Sequence, residues 1–124
     1  MIQRRHILRY VRALAKEFAP ERVVLFGSYA RGRATADSDV DLLVVMDHGK
    51  RKNVEQAIAI DRRIASSFPL DLLVRRPAEI RRRLALNDIF LQDIFREGRV
   101  LYERTPASML SAHPRCSSAG LLDS

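Results

Sequence analysis

Ile7, Val11, Leu14 and Phe18 recur at three- and four-residue intervals, the spacing that lines one face of an α-helix. The pattern predicts a helix over 2–18, and Pro20 stops it. The period then changes. Residues 22–26 and 40–46 are short runs rich in β-branched and aromatic side chains, bounded by Pro20, Gly27 and Asp47-His48-Gly49, and both read as strands. Helical spacing returns over 51–68, where Val54, Ala57, Ile58, Ile64, Ala65 and Phe68 form the apolar series and Pro69 ends it. A third strand is expected over 70–74, with Leu70, Leu72 and Val74 on one face and Asp71 on the other. Pro77 suits the first position of a helix running to Leu86. Asn87 is the expected cap of a further helix over 88–97, with Gly98 closing it before a last strand over 99–103. The alternation of helices and strands implies an α/β (α+β) fold with a short mixed sheet and flanking helices.

From residue 105 onward Ser, Ala and Pro dominate without apolar periodicity, so 1–104 is expected to be the domain and 105–124 a mobile C-terminal tail. A chain of 124 residues holds one domain and little room for a second that would grip a large substrate. An acceptor would therefore arrive on another molecule. No apolar run approaches the roughly 20 residues needed to span a bilayer, and the first residues lack the apolar core of a signal peptide. A cytoplasmic protein is the expectation. The single cysteine, Cys116, excludes an internal disulfide or a cysteine-based metal cluster, and His6, His48 and His113 are scattered without ligand spacing and expected at the surface.

Charge adds a partner without naming it. Lysine and arginine total 22 against 15 acids, a net charge of +7, which favours an acidic partner or nucleic acid. Arg5, Arg9, Arg12 and Lys16 fall on one face of the first helix, and Arg75, Arg76, Arg81, Arg82 and Arg83 form a second group. A solvated charged face is the commoner use of such clusters, and because few aromatic residues accompany them to stack a single strand, protein contact is favoured over nucleic acid.

The chemistry sits between the first two strands. Leu25-Phe26-Gly27-Ser28-Tyr29-Ala30-Arg31-Gly32 turns out of one strand, and Asp37-Ser38-Asp39-Val40-Asp41 opens the next. Side chains two apart on a strand share a face, so Asp39 and Asp41 project the same way with Cα atoms roughly 6.5 Å apart. At an effective dielectric of about 20 their charges repel by roughly 2.5 kcal/mol unless a cation lies between them. A divalent metal answers that repulsion. Gly27 permits a sharp turn and a close approach of backbone to ligand. Ser28 adds a hydroxyl at the start of a short helical segment whose exposed N–H groups favour an anion such as phosphate. Arg31 and Arg33 add positive charge there, for a phosphate, as solvated surface residues or as partners of Asp37. Gly27 and Gly32 have the separation of a Walker A loop, but Arg33-Ala34 stands where its lysine and hydroxyl residue belong.

Gly27-Ser28, ten intervening residues and Asp39-Val40-Asp41 resemble the signature of the DNA polymerase β-type nucleotidyltransferase superfamily. The flanking residues are similar to its minimal nucleotidyltransferase (MNT) branch, which includes antitoxins paired with HEPN toxins. The resemblance covers approximately residues 7–103. It implies the polymerase β-type nucleotidyltransferase fold, Mg²⁺ held by Asp39 and Asp41, and a third acid, Asp71, completing a two-ion site and helping to activate the attacking hydroxyl. Gly27 and Ser28, with Arg31 beside them, would then bind the nucleotide. It also implies transfer of AMP from ATP to a tyrosine of a HEPN ribonuclease toxin, which makes the chain an antitoxin. Two other uses remain at this point: a binding-only antitoxin that occludes its partner, against which the intact acids argue, and a small basic nucleic-acid-binding module.

Overall fold

The computed structural model describes residues 1–104, so the expected tail lies outside the described residues. Nine elements follow one another: α1 (Arg4–Phe18), β1 (Arg22–Phe26), α2 (Ser28–Arg31), β2 (Val40–Val45), α3 (Asn53–Arg63), β3 (Leu70–Arg75), α4 (Pro77–Ala85), α5 (Ile89–Glu97) and β4 (Arg99–Glu103). Among them the strand β2 sets the architecture. Leu42, Leu43 and Val44 are each fully buried, so this strand is apolar on both faces and must lie inside a sheet covered on two sides. It pairs antiparallel with β1 and parallel with β3, and β4 joins β1 antiparallel, giving the order β3-β2-β1-β4. A parallel neighbour requires a crossover connection, which α3 provides.

Two apolar layers follow from the strand alternation. Val23, Leu25, Leu42, Val44 and Val74 pack with Ile7, Val11 and Leu14 of α1 and Ile60 of α3. Val24, Leu43 and Val45 pack on the opposite face with Ile80 of α4 and Leu91 and Ile94 of α5. Leu70 and Leu72 lie against the first cluster and Leu73 against the second, as the alternation in β3 requires. No helix of the described residues is long and apolar enough to cross a membrane.

The structure corrects the sequence expectations in four places. The second long helix is shorter than the 51–68 expected, ending at Arg63 with Ile64 in extended conformation. Its inward face is also different. Gln56 and Ile60 are buried, whereas Val54 and Ile58 are 64% and 47% exposed. Ile64 and Phe68 are buried from outside the helix, so their apparent helical spacing with Val54 and Ile58 joined two conformations in one pattern. At α5 the cap is Asp88, whose side chain accepts a hydrogen bond from the Leu91 N–H at 3.0 Å, while Asn87 takes φ 62° in the preceding turn. His48 is half-buried, its Nε2 within 2.7 Å of Asn53 Oδ1, and is not a free surface residue.

Gly98 closes α5 where the expectation placed it, for reasons of space. A Cβ there would collide with the Ile94 carbonyl and stand 2.8 Å from Val24 Cγ1 and 2.9 Å from the Leu25 carbonyl. Backbone cannot yield as a flexible side chain can. Gly98→Ala is expected to destabilise the fold by about 1–3 kcal/mol, measured by urea denaturation. A variant as stable as the parent would show that α5 is free to lift from β1.

Candidate active site

The C-terminal end of β1, the N-terminal end of β2 and the N-terminal end of β3 meet at one end of the sheet. Phe26 of β1 lies opposite Asp41 of β2, and Asp41 lies opposite Asp71 of β3. Residues opposite one another on neighbouring strands share a face. Asp41 stands two positions before Leu43 and Asp71 two before Leu73, so all three side chains rise on the face that α4 and α5 cover further along. Asp39 precedes β2 by one residue. Asp39 and Asp71 are exposed and Asp41 is half-buried.

The acids interact as the strand pairing demands. Burial pushes the Asp41 carboxyl above its ordinary range, and the charges of Asp71 and then Asp39 push it further in the same direction. Among the described residues no three His, Cys, Asp or Glu side chains are gathered tightly enough to enclose a metal ion as they stand. The sheet therefore sets the backbone positions and the mutual repulsion of the three carboxylates, without closing them into a cage. An all-oxygen set of this kind suits Mg²⁺, which retains several of its waters and takes only a few protein ligands.

Gly27 is required where it stands. Its φ of 72° and ψ of −151° fall in a region essentially restricted to glycine, and a Cβ would run into the Asp41 carboxylate. The turn thus brings bare backbone against the central acid. Ser28 opens the single-turn α2, in which the Ala30 and Arg31 N–H groups donate to the Gly27 carbonyl at 3.1 Å. Arg31 is paired with Glu97 of α5, Nε to Oε2 at 3.3 Å, and Glu97 replaces the Asp37 partner considered from the sequence.

The sequence expectations missed the aromatic side of this edge. The Phe26 ring meets Phe90 of α5 edge to face at a centroid distance of 6.0 Å, and Phe90 remains 55% exposed. Its neighbours Ile89 and Leu86 are 71% and 74% exposed. The available signal was phase: Leu91 and Ile94 carry the inward face of α5, which leaves Ile89 and Phe90 out of register with the core.

The nucleotidyltransferase domain family matches residues 5–97, well over half of the chain. The chain belongs to this family. The match embraces the Gly27-Ser28 turn and all three acids, and it makes the chain an enzyme of the nucleotidyltransferase type. A Methanocaldococcus jannaschii protein provisionally named protein adenylyltransferase is 29% identical over 104 residues, spanning 82% of this chain and 100% of that protein. A crystal structure from Sulfolobus solfataricus, provisionally described as a nucleotidyltransferase, superimposes with a TM-score of 0.57 at 25% identity, over 81% of this chain and 79% of the other. The MntA–HpeT toxin–antitoxin structure gives a TM-score of 0.47 at 20% identity, over 96% of this chain and 87% of that one, a likeness too weak to bear on partners.

Two variants test the geometry without any substrate. Because the folded state raises the Asp41 pKa, the stability this group contributes is complete below its unfolded value and is lost as pH rises through the folded one. Asp41→Asn removes that penalty. Urea denaturation across mildly acidic to neutral pH should show the variant gaining on the parent as pH rises, and then a constant difference. A difference independent of pH would mean that neither burial nor the neighbouring acids raise the Asp41 carboxyl. Gly27→Ala should lower stability by about 1–2 kcal/mol or more from the left-handed backbone alone, with displacement of Asp41 added.

Proposed function

We propose that this nucleotidyltransferase moves AMP from ATP to a hydroxyl of a partner protein, and that the acceptor is a tyrosine of a HEPN ribonuclease toxin that it silences as an antitoxin. The observation that carries the enzymatic reading is the alignment of Asp41 with Asp71 across parallel strands, at the foot of a turn that presents bare Gly27 backbone to Asp41. Adenylyl transfer is supported by the name of the full-length-matched relative. The toxin partner rests on the sequence resemblance.

In this reading Asp39, Asp41 and Asp71 would hold the Mg²⁺ ions. Bound there, the ions would neutralise phosphate charge as the bond to pyrophosphate breaks. Asp71, exposed on the edge strand β3, orients the acceptor hydroxyl and takes its proton. The hydroxyl oxygen forms a bond to the α-phosphorus, the bond from that phosphorus to the pyrophosphate oxygen breaks, and pyrophosphate leaves. Gly27 and Ser28 contact the terminal phosphates, with the backbone dominating, so Ser28→Ala should cost less than loss of an acid. Arg31 reaches a phosphate only by exchanging its Glu97 partner.

Asp39→Asn, Asp41→Asn and Asp71→Asn are each expected to lower AMP transfer by at least about 100-fold while the protein remains folded. Intact-mass spectrometry of the partner after incubation with Mg-ATP reads the transfer. The partner should stay inactive after separation from the parent protein, because a covalent nucleotide survives dilution. Full recovery on separation, with no added mass, would replace the enzyme by an occluding antitoxin.

A further inference from the structure

The apolar surface beside the acids has no use in the fold. Leu86, Ile89 and Phe90 lie within five residues at the α4–α5 turn, and they are among the most exposed large apolar side chains of the described residues. Their position is fixed firmly. Asp88 caps α5 between them, Arg83 pairs with Asp88 at 3.5 Å, and the Phe90 ring abuts Phe26, the cross-strand neighbour of Asp41. An exposed apolar ledge beside reactive groups suits a surface that meets another protein.

Charge around the ledge defines the partner further. Asp88 is taken up by Arg83, Glu79 by Arg75 and Arg83, and Glu97 by Arg31. Arg82, one helical turn before Leu86, is exposed and has no acidic partner among the described residues. The free charge beside Leu86 is therefore positive, whereas the acids lie on the Phe26 side of the ledge.

We propose that the Leu86–Ile89–Phe90 ledge docks the acceptor protein, binding a segment with apolar side chains next to the hydroxyl residue and an acid beyond them that meets Arg82. The inference rests on the reading of the chain as a protein-modifying nucleotidyltransferase, and it assigns the choice of acceptor to this ledge rather than to the acids. A nucleotide base would need one flat face. Three projecting side chains, two of them aliphatic, instead fit the side chains of a polypeptide.

Three dye-labelled peptides with one tyrosine each test this by fluorescence anisotropy, without nucleotide. In the first, leucine and phenylalanine near the tyrosine are followed by glutamates; the second has lysines for the glutamates, and the third has serines for the apolar residues. The first should bind the parent at least about tenfold more tightly than either control, and L86S/I89S should lose about tenfold for it. Thermal denaturation should show this variant folded, since both residues face solvent. Arg82→Glu should reverse the preference between the glutamate and lysine peptides. Equal binding of the three peptides, no binding, or a variant that binds as the parent does would overturn the proposal. So would a loss of Mg-ATP affinity in L86S/I89S, which would give the ledge to the base, or a parent dimer that the variant dissociates, which would give it to a second copy. A peptide held through the ledge that accepts no nucleotide would defeat the enzymatic reading and leave the docking surface in place.

Discussion

The parallel pairing of β2 with β3 is the constraint on which the rest of the structure depends. It aligns Asp41 with Asp71 and so forces two like charges onto one face of adjacent strands, roughly 4.8 Å apart in the pairing direction. Such a pairing is unfavourable unless something else holds the strands together. Here the apolar remainder does so: Leu42, Leu43 and Val44 of β2 are fully buried, and Val74 of β3 is nearly so. The core thereby holds a repulsion at the sheet's end that no surface loop could maintain.

The elements around that end divide the work. On the first strand Phe26 and Gly27 stand side by side with opposite properties. Phe26 supplies an apolar ring that seats α5 through Phe90, and Gly27 supplies the absence of a side chain that the Asp41 carboxylate requires. Exchange of either would disturb Asp41, one through packing and the other through collision. The helix α5 is tied in at both ends, by Phe90 on Phe26 and by Gly98 packed into the backbone beside Val24 and Leu25. Its exposed residues are consequently held at a fixed place relative to the acids, which is what selection of an acceptor by docking needs.

Positive charge is distributed with the same separation. Arg5, Arg9, Arg12 and Lys16 are exposed on α1, which packs on the sheet face opposite α4 and α5. They lie away from the face that carries Asp41. Around α4 and α5, arginines are largely consumed in holding the structure: Arg75 and Arg83 on Glu79, Arg83 again on Asp88, and Arg31 on Glu97. A net charge of +7 therefore says little by itself about the active site.

The candidate site was legible in the sequence because its backbone pattern is local. Gly27-Ser28 and Asp39-Val40-Asp41 are short patterns whose backbone demands, a glycine-only turn and a strand with alternate acids, are written into neighbouring residues. The strand limits of β1 and β4 were legible for the same reason, each being a short run closed by proline, glycine or a charged residue. Asp71 was visible as an acid in an apolar strand, but only the parallel register put it opposite Asp41, since pairing depends on residues distant in the chain. Packing likewise decided the inward face of α3. Val54 and Ile58 have the hydrophobicity of core residues, yet in the folded chain it is Gln56 and Ile60 that face inward. The ledge of Leu86, Ile89 and Phe90 belongs wholly to the tertiary structure, because exposure is a property of what fails to cover a side chain, and apolar character alone cannot report it.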